Sequence, residues 1–285
     1  MPLFACHDRS VISMRGADCE ELLQRLITTN LDQVEMGEAG FGALLVPQGK
    51  ILMDFLVIRQ DDGFLFDLDS QLVDGFIKKM TLYKMRSDVT IEKSDLEVAV
   101  SLGDGDEQIA LTVKDPRHEG LGYRHYAFGN ELSEAKTDGE AVLAAHISCG
   151  VPQGGTEETS RDFLYGDAFP HDVNLDQLGG IDYNKGCYVG QEVVSRMHHR
   201  GTARKRIVTV SADQALTSHA AILAGEKNIG QIGLAQGNVA LAQIRLDRLA
   251  TALGQGQTVQ SEQGLSLSIS IPAYADFADQ FGLSM

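Results

Sequence analysis

The chain has no tryptophan, and its four cysteines, Cys6, Cys19, Cys149 and Cys187, are widely scattered. Without a C-x-x-C pair, neither a zinc ribbon nor a chain-internal iron–sulfur centre is expected, because each draws on closely spaced thiolates. Cys6, Cys19 and Cys149 read as small buried hydrophobes. No run of about 18 apolar residues occurs, and the first ten residues carry no apolar signal-peptide core. No membrane span is expected. A cytoplasmic protein is, or one of the mitochondrial matrix if the source is eukaryotic. Internal repeats and low-complexity tracts are missing too. So are nucleotide loops: Gly42 and Gly49-Lys50 are wrongly spaced for a phosphate loop, and Ile51 stands where Ser or Thr is required. Gly37, Gly40 and Gly42 run in the reverse of the dinucleotide order. His198 and His199 would point about 100° apart on a helix, an awkward pair for one metal, and no metal site is expected.

Positive charge is also scarce, with 24 Lys and Arg against 40 Asp and Glu and a formal charge of −16. Such a chain is a poor nonspecific nucleic-acid binder. The cations that exist gather in one place. Residues 185–206 hold Lys185, Arg196, Arg200, Arg204, Lys205 and Arg206 against Glu192 alone, a net of +5 that leaves −21 elsewhere. A basic island on an acidic body suits capture of a specific anion; the plain alternative is a solvated helix face with acidic neighbours. At 43% hydrophobic and 22% charged the composition is that of a globular protein, and 285 residues suit two or three modules.

Patterning predicts a mixed α+β chain. Strands are expected over 10–15, 41–46, 51–59 and 63–68, and helices over 19–27 and 71–83, the first opened by a capping box at Asp18. Further strands are expected near 89–92, 96–102, 108–113 and 124–128, with a helix over 140–149 that stops at Gly150 before Pro152. The order suits ferredoxin-like lobes. Beyond a boundary near 201–206, short strands at 207–211, 221–223, 229–235, 239–245 and 266–271 have the cadence of a small antiparallel barrel or sandwich.

The densest chemistry lies in Lys185-Gly186-Cys187-Tyr188-Val189-Gly190-Gln191-Glu192. Two glycines bracket a turn, and a helix with Glu192 and Arg196 paired at i,i+4 is expected after Gly190. Cys187 then stands at or just before a helix N-terminus, where the dipole and Lys185 favour a thiolate. The plain reading is a glycine-rich corner whose cysteine packs.

This eight-residue run resembles the K-G-C-Y-x-G-Q-E signature of the YgfZ family, folate-binding proteins related to the glycine-cleavage aminomethyltransferase (GcvT). The resemblance continues through Arg196 and His198-His199-Arg200-Gly201, where it is similar to the mitochondrial iron–sulfur assembly member. It extends back through 174–180, 49–54 and Arg15-Gly16-Ala17-Asp18 with Thr29-Asn30, and forward to Gly230-Gln231-Ile232-Gly233 and 240–245. It implies a three-lobed GcvT-like fold around a central folate channel. The implied lobes are residues 1–38 with 112–200, residues 39–111, and a C-terminal antiparallel β-barrel over 201–285.

The resemblance also implies tetrahydrofolate or a one-carbon derivative as cofactor, iron–sulfur client or assembly proteins as partners, and a monomer. Cys187, Asp54 and Lys185 are the candidate reactive groups. Arg196, Arg200 and Lys185 are candidates for the folate carboxylates, with Tyr188, Phe41 and Leu44 as walls and Thr29, Asn30, Gln191 and Glu192 as further contacts. The main expectation is support of iron–sulfur enzyme assembly or repair through Cys187. A folate-dependent aminomethyltransferase-type one-carbon transfer using Asp54 is the alternative. A third reading is an RNA- or protein-binding module over 196–206, suggested by kinship with a tRNA-modification domain. Two departures from the aminomethyltransferase pattern stand out: Met53-Asp54 keeps one acidic residue of two, and His146-Ile147-Ser148 stands where the pterin-binding glutamate is expected.

Overall fold

The computed structural model describes every residue except 1, 104–108, 110, 130, 133, 202 and 283–285. The chain divides into two compact units, residues 1–145 with 179–191, and residues 146–178 with 192–285.

The first unit is built on a five-stranded antiparallel sheet in the order Ala39–Leu45, Ile51–Gln60, Gly63–Asp69, Arg9–Arg15, Thr90–Lys93. Alternation along the strands loads both of its faces. Ile12, Met14, Met53, Phe55, Val57, Phe64 and Phe66 enter one core. There they meet α1 (Cys19–Gln24) through Leu23 and α2 (Val73–Lys84) through Phe76 and Met80. Phe66 centres this packing, with ring centroids 5.0 Å from Phe55 and 5.1 Å from Phe76. Val11, Ile58 and Leu65 enter a second core, shared with Val98, Val113 and Tyr126. Those three come from a second antiparallel sheet, ordered Phe4–Ala5, Leu96–Ser101, Tyr123–Phe128, Leu111–Lys114. Because Arg9–Arg15 pairs along its whole length with Gly63–Asp69, the segments 1–38 and 39–111, expected in different lobes, share one sheet.

A buried chain of charges joins the two sheets. Asp67 accepts from Arg9 at 2.7 Å, from Arg124 at 2.8 Å and from the Tyr126 hydroxyl at 2.9 Å. Arg124 reaches on to Asp115 at 3.2 Å, and Asp115 takes a two-pronged contact from Arg117 at 2.6 and 2.9 Å. Burial alone would raise the two carboxyls; the arginines outweigh it and hold both below the usual carboxylate range.

Several local expectations are corrected here. The first helix stops at Gln24, and its Asp18 makes no cap bond; that carboxylate instead accepts from the Asp88 N–H at 2.8 Å. Glu21, the box's glutamate, pairs with Arg25 one turn on, and Glu20 pairs with Arg59 at 2.6 Å. The strand expected over 108–113 is seen as Leu111–Lys114, its start lying outside the described residues.

The boundary at residue 146 falls within α3 (Gly139–Cys149), whose last turn, in the second unit, ends with the Val151 N–H bonded to the His146 carbonyl at 3.0 Å across Gly150, which has φ +70°. α4 (Gln191–Arg200) precedes a six-stranded antiparallel sheet ordered Val259–Ser261, Ala221–Ala224, Lys227–Gln236, Val239–Arg245, Lys205–Ser211, Ser268–Ser270. An antiparallel bridge from Gln260 to Ser266 draws its two edges together, so the sheet curls into a half-barrel. α5 (Leu246–Gly254) closes it with Leu246, Leu249 and Ala252 in the core. The short strand Val259–Ser261 escaped the sequence reading because three residues give too brief an alternation to register.

Candidate functional site

The loop formed by residues 179–191 folds back on the turn that follows α1. Thr28 donates its hydroxyl to the Gly180 carbonyl at 2.6 Å, and the Asp182 N–H returns to the Thr28 carbonyl at 3.1 Å. Asp182 accepts from the Asn30 side chain at 2.8 Å and from the Asn184 N–H at 2.7 Å. Asn30 accepts in turn from Gln24 at 2.8 Å. Thr29 donates to the Phe41 carbonyl at 2.8 Å, and a Cβ at Gly42 would fall 1.8 Å from its hydroxyl oxygen. Only glycine lets this strand and turn approach so closely.

Within the signature, most residues are anchors. Lys185 is buried, and its ammonium donates to the carbonyls of Ile27 at 2.9 Å and Thr29 at 2.5 Å. Burial lowers its pKa to about 8, with Asp182 and Asp32 pulling the other way. Tyr188 is buried, 5.6 Å from that ammonium to its ring centre. Its hydroxyl has no hydrogen-bond partner among the described residues, and burial pushes its pKa up. Val189 packs on the first core, and Gly190, at φ +83°, would carry a Cβ 2.8 Å from the Val46 carbonyl oxygen. Cys187 is exposed, as is Gly186 beside it. It lies four residues before the first helical residue, Gln191, so it stands in the loop rather than in the first turn of α4.

The other expected site residues separate into two groups. Leu44 is fully buried in the first core and walls no cavity, because strand alternation turns it inward with Met53 and Phe55. Asp54 and Phe41 lie on the opposite face: Ala43 pairs with Asp54, and Phe41 is two residues along the same strand. Both are buried, and the Arg117 guanidinium sits 5.6 Å from the Phe41 ring centre. The Gln191 N–H caps back to the Tyr188 carbonyl at 3.2 Å.

In the second unit, Glu192 and Arg196 form the expected i,i+4 pair at 2.7 Å, both exposed, and Arg200 is exposed one turn on. The basic island does not stay together on the surface. Arg206 is buried, bonded to Asp176 at 2.6 Å and to the His171 carbonyl at 2.8 Å. His146 is buried with a ring nitrogen 2.9 Å from the Val151 carbonyl, a structural role at the end of α3. Sequence reasoning missed His171, buried with its ring centre 6.5 Å from that of His198, and no local pattern announces it. Among the described residues, no group of three His, Cys, Asp or Glu side chains is placed to hold a metal ion, and no helix is long and apolar enough to cross a membrane.

Comparison with known proteins bears on both units. Residues 204–277 match the family of CAF17 C-terminal β-barrel domains. The chain is 31% identical over 226 residues to the mitochondrial iron–sulfur cluster assembly factor IBA57 homolog of Mycosarcoma maydis, covering 71% of this chain and 55% of that protein. It is 27% identical over 315 residues to the human mitochondrial assembly factor IBA57, covering 94% of this chain and 84% of the human protein. It thus spans about half the length of several fungal relatives, 51% in Neurospora crassa, and most of the human one. By fold it matches the glycine cleavage system aminomethyltransferase T of Bartonella henselae with a TM-score of 0.75 at 15% identity, over 96% of this chain and 86% of that one. The GcvT-like fold with a C-terminal barrel, expected from the sequence, is therefore the fold of this chain.

Proposed function

We propose that this chain is an IBA57-type iron–sulfur cluster assembly factor that binds a reduced folate and presents Cys187 as its working thiol. Its sequence kin carry the first part of that description in their names, and they are named as mitochondrial. The observation that carries the second part is the division of labour in the signature. Lys185, Tyr188, Val189 and Gly190 are spent on holding the loop, while Cys187 is exposed at its tip. A cysteine kept for packing would be turned inward, as Cys19 is.

One thiolate cannot hold a cluster, which takes about four protein ligands. Cys187 therefore supplies one bond to the metal during hand-over, and a partner protein supplies the others. A reduced folate, when bound, adds the one-carbon or reducing chemistry of its pteridine. In the first unit the Tyr188 hydroxyl, unpartnered among the described residues, the Phe41 ring and the Asp54 carboxylate suit a pteridine; in the second, the exposed Arg196 and Arg200 suit carboxylates. Thr29, Asn30, Leu44 and Lys185 are committed to the frame.

The test is complementation of a strain lacking this factor, with folate binding followed by calorimetry. Cys187→Ser should lose the activity of cluster enzymes and keep its folate affinity. Full complementation by that variant removes the thiol from the mechanism, and indifference of the wild type to every reduced folate removes the cofactor.

A further inference from the structure

We propose that the half-barrel carries a second anion site, separate from the folate and thiol chemistry, for a compact oxyanion such as a phosphate monoester or a small dicarboxylate. A cavity of about 420 Å³ lies against its strands, within the range of small-ligand pockets. Three cations line it from three elements: Lys205 from the first barrel strand, Arg245 from the end of Val239–Arg245, and Arg248 from the first turn of α5. Asp167 is the one carboxylate in the lining.

The arrangement is electrostatically uneconomical for a protein of net charge −16. Lys205 and Arg245 are direct cross-strand partners, and like charges placed opposite each other destabilise a sheet. Arg245 is relieved by Asp247, at 2.6 Å, and Arg248 is steadied by the Asn228 carbonyl, also at 2.6 Å. The Lys205 ammonium makes no hydrogen bond among the described residues; what it feels is the nearby Asp172. A bound anion removes this repulsion. The cross-strand pair Gln231 and Gln243 forms part of the wall. Each amide spends one N–H on a carbonyl, of His219 and Asp172, which leaves one N–H to donate to an anion and the side-chain oxygen to accept from a hydroxyl or amine on the ligand. The site thus suits an anion that also carries a hydroxyl or amine.

Lys205 belongs to the basic island read from the sequence, so that island serves more than one purpose. The experiment is calorimetric titration of the whole chain with inorganic phosphate, glycerol phosphate and malate at constant ionic strength. Saturable binding is expected, weakened about tenfold in Arg248→Gln and in Lys205→Gln. Preference for the phosphates or for malate identifies the source of the oxyanion. Arg248 is exposed, so its variant serves if the Lys205 variant folds poorly. Failure of all three anions to saturate, or equal binding by wild type and Arg248→Gln, overturns the proposal. Tetrahydrofolate binding should be unchanged in Arg248→Gln; its loss there would mean that the cavity belongs to the folate and is not a separate site.

Discussion

The Lys185 ammonium sits 2.5 Å from the Thr29 carbonyl oxygen, buried, 156 residues along the chain from its acceptor. With the second bond to Ile27 it ties the loop bearing Cys187 to the turn after α1. Lys185→Met removes the donor from both carbonyls, at about 1–3 kcal/mol for each one left buried and unpaired.

The same lysine gives a pH signature. Burial lowers its folded pKa from 10.5 to about 8. Between those two values the unfolded chain holds the proton and the native one releases it, so stability rises with pH across that window. The variant lacks this rise. Urea unfolding of wild type and Lys185→Met should therefore show a deficit that is larger at pH 10 than at pH 7. A deficit that shrinks instead would mean the ammonium is not resisting burial.

Gly186 and Gly190 look alike in the signature and differ in the fold. Gly190 has φ +83°, and an added Cβ would meet the Val46 carbonyl oxygen at 2.8 Å and the Gly49 Cα at 3.2 Å, backbone atoms that cannot turn aside. Gly186 has nothing within 4 Å. Gly190→Ala is expected to cost at least about 1–2 kcal/mol from the left-handed backbone alone and to change the rate at which Cys187 is alkylated. Gly186→Ala is expected to stay within about 0.5 kcal/mol. Calorimetric melting and mass-spectrometric alkylation of the two variants check the contrast, and equal effects would show that the hairpin turn does not brace the loop.

What could be read from the sequence follows the range of the interactions involved. The β-rich runs 10–15, 51–59 and 63–68 mark strands locally, each seen one residue longer, and the Glu192–Arg196 pair is fixed by helical spacing alone. The conduct of Asp18 was not readable, because its carboxylate answers to an N–H at Asp88, 70 residues away. The same holds for Arg9, Asp67, Asp115, Arg117 and Arg124: each reads as a surface charge until two sheets bring them together. The signature singled out Cys187 as a reactive thiol, and that residue is exposed. It could not say that Lys185, taken as a reactive or anion-binding group, would be spent on backbone carbonyls. Composition likewise gathered Arg206 into a basic surface that its bond to Asp176 dissolves.

His171 and Asp172 are adjacent, buried, and shifted in opposite senses, and their effects on acid stability oppose each other. Burial lowers the His171 pKa from 6.5 to about 4, helped by Arg206 and His198 and resisted by Asp176. The unfolded chain binds that proton first as pH falls, so stability is lost between about 6.5 and 4. Burial raises the Asp172 pKa from 3.8 to about 6 against Lys205 and Arg206, with Asp167 adding to the rise. There the native state holds the proton that the unfolded chain has released, so stability falls as pH rises from 3.8 to about 6. Each shift amounts to about 3 kcal/mol over nearly the same window, so the wild-type barrel should be almost indifferent to pH between 4 and 6.5 on their account. Asp172→Asn exposes the histidine's share, and its unfolding midpoint should drop steeply on acidification. His171→Gln exposes the aspartate's share, and its midpoint should climb relative to its own value near pH 6.5. Denaturant titrations of the barrel transition at pH 4.5 and 6.5 separate the two, and parallel behaviour of both variants would mean that these neighbours do not titrate as opposed buried groups.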